Sequence, residues 1–132
     1  MRKKWGLGSC LVTVTCITMA GLAPALAQTF PSKNVSLVVP FPPGGGPDLM
    51  ARVFAEKLAA QWGKPVVVEN RPGAGALLGA QAVAKSAADG HTLLLTTNTM
   101  VISPHVLAPG AGGGIDVHSD LMPIVAPATT PM

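Results

Sequence analysis

The stretch VVPFPPGGGPDLMAR, Val38 to Arg52, decides how the chain is read. An apolar, β-branched run ends at once in Pro40, Pro42, Pro43 and Gly44-Gly45-Gly46. An amphipathic segment then begins at Pro47-Asp48. The prolines lack backbone N–H groups, whereas the three glycines leave theirs uncovered by any side chain. A strand, a tight loop and a helix N-terminus therefore follow one another within fifteen residues. Bare amides in front of a helix N-terminus favour an anion.

Working outward, Val35 to Val39 reads as a short buried strand. From Asp48 to Trp62, apolar Leu49, Met50, Val53, Phe54, Leu58 and Trp62 recur at helical spacing, with Arg52, Glu56 and Lys57 on the other side. Gly63 supplies the stop. Pro65 to Glu69 reads as a second strand of the same buried kind, Ala76 to Ala87 as an alanine-rich helix, and Thr92 to Thr96 as a third strand after the Asp89-Gly90 turn. The order β-α-β-α-β with short loops predicts an α/β fold, a parallel doubly wound sheet with right-handed crossovers.

The N-terminus reads differently. Arg2, Lys3 and Lys4 precede a mostly apolar stretch, Trp5 to Leu22, and Ala25-Leu26-Ala27 is an A-x-A cleavage site. Residues 1–27 are thus expected to be a secretory signal peptide cleaved after Ala27, leaving a periplasmic protein that begins at Gln28. Both cysteines, Cys10 and Cys16, fall in that segment. So does the charge: the whole chain has 9 basic and 6 acidic residues, and removing the three leader cations leaves a formally neutral remainder. Neither a disulfide or thiolate chemistry nor a basic nucleic-acid footprint is expected of it.

In doubly wound sheets ligands bind outside the carboxyl ends of the strands. Three loops share that edge: Pro40 to Asp48, Asn70 to Gly79 (NRPGAGALLG), and Thr96 to Ser103. The first two offer glycine amides before a helix, with Arg71 as a possible cation, and the third offers the hydroxyls of Thr96, Thr97 and Thr99 and the amide of Asn98. Together they suit a carboxylate or another small polar anion. Ordinary turn chemistry would account for any one loop alone.

No catalytic constellation emerges. Gly73-Ala74-Gly75-Ala76-Leu77-Leu78-Gly79 approximates a dinucleotide fingerprint, but Asn70-Arg71-Pro72 lengthens the turn and no acid ends the third strand to hold a ribose. His91, His105 and His118 are spaced too irregularly for a metal site and read as solvated or loop histidines. Asp116 and Asp120 read as local caps or pairs in a loop. No enzyme, metal or cofactor is expected.

The segments FPSKNVSLVVPFPPGGGPDLMAR and PVVVENRPGAGALLGAQAVAKSAADGHTLLLTTNT, with ISPH and IDVHSDLMPIV after them, resemble the periplasmic substrate-binding receptors of tripartite tricarboxylate transporters, the Bug family. The resemblance runs from about Phe30 to Ile124. It implies a two-lobed, hinged Venus-flytrap receptor that captures a small organic acid and hands it to the membrane components of the transporter. It also implies that ligand-facing positions fall on Phe41, Pro43, Gly44, Gly45, Gly46 and Asp48, on Gly73, Ala74, Gly75, Ala76 and Leu77, and on Thr96, Thr97, Asn98 and Thr99. Backbone amides of these loops, often through ordered water, would hold the ligand carboxylate. Where the family usually has Gly and a small polar residue at the start of the second helix, Ala76 and Leu77 stand here. Residues 28–106 are expected to be the β-α-β-α-β core of the first lobe. Residues 107–132 are expected to be a Gly/Pro-rich tail, with the second lobe absent. Two alternatives stay open: a small dinucleotide- or phosphate-binding enzyme domain using Gly73 to Gly79, and a remnant that binds nothing.

Overall fold

The computed structural model of the 132-residue chain describes residues 29–107 and 114–127. The expected signal peptide and its cleavage site lie outside the described residues, as do parts of the C-terminal segment. Among the described residues no helix is long and apolar enough to cross a membrane.

Three parallel strands, β1 (Val35–Val39), β2 (Val66–Asn70) and β3 (Thr92–Leu94), lie in the order β2-β1-β3. Val39 pairs in register with Asn70, and Val38 with both Glu69 and Leu94, so the strands end together on one edge. The helices are α1 (Gly46–Trp62), α2 (Leu77–Ala84), α3 (Thr99–Val106) and the single turn α4 (Val117–Asp120). A 3-10 turn, Ala74–Ala76, leads into α2.

Alternation along the strands sends side chains to two faces. Leu37 and Val39 pack on Ala51 of α1, with Val66, Val68, Leu93 and Leu95 around them. The other cluster is Ala76, Leu77 and Ala80 with Met100 of α3, joined by Leu94, Ile115, Val117 and Leu121. Phe41 packs against both. Burying residues such as Leu37 and Val39 contributes about 1.5–3 kcal/mol each. Helices on opposite faces make the sheet doubly wound, as the sequence predicts.

Several boundaries differ from the sequence reading. The second strand is an edge strand rather than a buried one: Val67 is 47% exposed while Val66 and Val68 point inward. An apolar run does not reveal by periodicity whether one of its faces is left open. The second helix stops at Ala84 rather than Ala87, and the third strand at Leu94 rather than Thr96. Part of the expected third loop is α3, a helix that includes Pro104 near its end. His91 is buried and not solvated. Its Nε2 accepts the Ser32 N–H at 3.1 Å, and its ring lies 5.0 Å from that of Phe30, which in turn sits edge-on to Trp62. Asp116 and Asp120 cap locally as expected: Asp116 accepts the His118 N–H, and Asp120 accepts the Asp116 N–H.

Candidate functional site

The strand order places the chain reversal at β1. From β1 the chain leaves to α1 on one face, and from β3 it leaves to α3 on the other. The crevice between such diverging loops is where open α/β sheets hold ligands. The loops after β1 and β3 border it, and the loop after β2 reaches it because α2 crosses over the end of β1. That crossing depends on Gly79: a Cβ there would stand 2.7 Å from Pro40 Cβ and 3.1 Å from the Arg71 carbonyl oxygen.

In the first loop Pro42, Pro43 and Gly44 to Gly46 are exposed. Gly44 has φ +84°, a conformation that disfavours side chains. Gly45 is the N-cap of α1 with extended backbone, and its carbonyl accepts the Leu49 N–H. Among the described residues, the amides of Gly45 and Gly46 donate to no group of the chain.

Asp48, expected among the ligand-facing residues, is turned into the chain. It is 1% exposed, and the chain itself occupies both of its carboxylate oxygens. Oδ2 accepts the Gly44 N–H at 2.8 Å and Arg52 Nε at 3.0 Å, while Oδ1 accepts Asn70 Nδ2 at 2.9 Å. Arg52, then the Gly44 amide, then Asn70 hold its pKa down at about 2. Asn70 Nδ2 also donates to the Phe41 carbonyl at 3.2 Å. One amide on β2 and one carboxylate on α1 thus fix both ends of the glycine loop. Asn70 and Arg52 were not singled out by sequence as loop braces, since the contacts of Asn70 lie 22 and 29 residues away.

The second loop turns through left-handed backbone at three successive residues, Ala74 (φ +46°), Gly75 (φ +60°) and Ala76 (φ +77°). The side chains of Ala76 and Leu77 are buried in the core, so these two can offer a ligand only their backbone. Arg71 is engaged by Glu69, with Nη2 at 2.9 Å from Oε2. Glu69 is itself held below the usual carboxylate range, first by the Ser36 hydroxyl and then by Arg71. In the third loop Thr97, Asn98 and Thr99 are exposed. Thr97 Oγ1 donates to Thr99 Oγ1 at 3.0 Å, and the Asn98 carbonyl accepts the Val101 and Ile102 amides.

The edge therefore presents amides and hydroxyls, while Arg52 and Arg71 are paired with carboxylates. Among the described residues no group of three His, Cys, Asp or Glu side chains could hold a metal ion.

Residues 50–132 match the family described as the tripartite tricarboxylate transporter family receptor. The chain belongs to this receptor family. Its members are periplasmic solute-binding proteins and not enzymes, which disfavours the dinucleotide-binding alternative. BugT of Bordetella pertussis is 54% identical over 84 residues, covering 63% of this chain and 26% of BugT. A protein from the tcbD-tcbE intergenic region of Pseudomonas sp. strain P51 is 37% identical over 122 residues, covering 86% of this chain and 35% of that one. Among solved structures, MatC of Rhodopseudomonas palustris with bound malate is 46% identical over 49% of this chain and 22% of its own, at a TM-score of 0.48. The chain thus spans about a quarter to a third of the curated relatives it matches.

Proposed function

We propose that the chain forms one wall of a carboxylate-binding receptor, the first lobe of a hinged pair, and that it serves a tripartite tricarboxylate transporter. The observation that carries this reading is the pair of amides at Gly45 and Gly46, unpartnered among the described residues, at the N-terminus of a 17-residue helix and beside the β1/β3 reversal point. Helix N-termini and free amides stabilise an anion without a cationic side chain. The other residues proposed to line the ligand are Phe41, Pro43, Gly44, the backbone from Gly73 to Leu77, and Thr96 to Thr99. Asp48 acts behind them.

In this reading the ligand is a small organic acid, handed on to the membrane components of the transporter. Cleavage after Ala27 delivers the protein to the periplasm. N-terminal sequencing of exported protein should read Gln28 first.

Calorimetric titration of the full chain with malate, adipate and their neutral diamides tests the reading. The acids should bind and the diamides should not, because only a carboxylate gains from the amides and the helix dipole. Equal binding of acids and diamides, or no binding of any acid, contradicts it.

A further inference from the structure

The left-handed run Ala74-Gly75-Ala76 is costly for its two alanines, whose Cβ atoms crowd the following carbonyl in that region. Such a run persists only where its surroundings over-determine it. Three features do so here. The Leu77 amide closes on the Ala74 carbonyl, the side chains of Ala76 and Leu77 are buried beside Ala80 and Met100, and the Ser103 hydroxyl donates to the Gly75 carbonyl at 2.7 Å.

Ser103 lies on α3, the helix that opens at Thr99 out of the third loop. It is 3% exposed, and its hydroxyl is the buried polar link from α3 to the second loop. The fit is reciprocal. A Cβ on Gly75 would fall on the Ser103 hydroxyl and 2.9 Å from Ser103 Cβ, so the side chain at 103 requires glycine at 75.

We propose that Ser103 is a positioning residue: it holds the second loop in its left-handed turn and couples that loop to the third, so both face the ligand in one fixed arrangement. This rests on the reading above that the two loops face the ligand. The binding benefit is preorganisation, since a ligand meeting a turn already formed need not order it.

The test combines Ser103→Ala with Ala74→Gly, which supplies a residue that takes positive φ without penalty. One-bond Cα–Hα couplings at Ala74 and Ala76 distinguish positive from negative φ and are read without ligand. In Ser103→Ala the Ala76 coupling should move away from its wild-type value, and malate affinity should fall about five- to tenfold, the effect of one lost hydrogen bond. Adding Ala74→Gly should restore most of both. Ser103→Cys keeps the side-chain shape in a slightly larger group while leaving only a weak donor, and it replaces Ser103→Ala if the latter fails to fold. Unchanged couplings in the variant, or a loss that Ala74→Gly does not relieve, would overturn the proposal. If the wild-type chain binds no malate, the carboxylate reading fails and the couplings alone decide the role of Ser103.

Discussion

Replacing Gly45 by Asp should separate binding from stability in opposite directions. Gly45 is the N-cap of α1, with φ −79° and ψ 170°, a conformation open to any residue. A Cβ there would meet nothing nearer than the Pro42 carbonyl oxygen at 3.7 Å, an ordinary contact. Among the described residues no side chain caps α1 in the wild type. Aspartate is a better N-cap than glycine by a few tenths of a kcal/mol, so the variant should melt at or slightly above the wild-type temperature. Its carboxylate, however, would accept the helix-terminal amides assigned here to the ligand. The ligand then loses a hydrogen bond to a charged group, about 1.5–3 kcal/mol, or about 10- to 150-fold in affinity. Repulsion between the two carboxylates adds to that loss. Calorimetry with malate, beside thermal melts of both proteins, reads the two effects separately. A Gly45→Asp protein that is as stable as wild type and binds malate equally well would refute the assignment of the anion to this helix terminus.

Gly44→Ala should act through the backbone alone: φ is +84° and a Cβ would meet nothing within 4 Å, so the expected cost is about 1–2 kcal/mol, seen as a lower midpoint in urea. Gly79→Ala should act through packing, because Pro40 and the Arg71 carbonyl cannot both retreat from a new Cβ. About 1–3 kcal/mol of destabilisation is expected, and a melting temperature unchanged from wild type would show that the α2 crossing has room for a Cβ at 79. Asp48 and Asp89 are each held at about 2, against 3.8 in the unfolded chain, by Arg52, Gly44 and Asn70 in one case and by Lys33 and the His91 amide in the other. Their stabilisation is complete above pH 4 and fades as pH falls from about 4 through about 2. Melts across that window should show Asp48→Asn losing less stability than wild type, and equal losses would contradict the assigned role.

The part of the fold that was legible in the sequence is the part fixed by local physics. Val35 to Val39 is β-branched and continuous, the prolines and glycines after it forbid continuation, and the apolar spacing after Pro47 is helical. That unit appears with its strand unchanged and its helix starting two residues earlier, at Gly46. What depended on distant partners was not legible. Asp48 opens the helical pattern in sequence, and nothing local shows that Asn70 will take one of its oxygens. His91 is buried where Phe30 and Ser32, about sixty residues earlier, fold back onto it. The helix α3 was hidden by Pro104 and by the hydroxyl-rich residues before it, which read as loop. It is held by Met100 in the core and by Ser103 on the Gly75 carbonyl. That three loops share one edge of the sheet was legible, but their separate parts were not: which glycine is held at positive φ, which amides Asp48 and the helix leave over, and which acid is buried.

The most direct measurement is a residue-resolved titration of the isotope-labelled chain with malate, followed through its backbone amides. The amides of Gly45 and Gly46 should shift most, those of Gly73 to Leu77 and Thr96 to Thr99 should follow, and that of Gly44, already bound to Asp48, should move less. Shifts confined to the outer apolar side of α1 around Leu49, Met50 and Val53, or to Gly44 without Gly45 and Gly46, would contradict it.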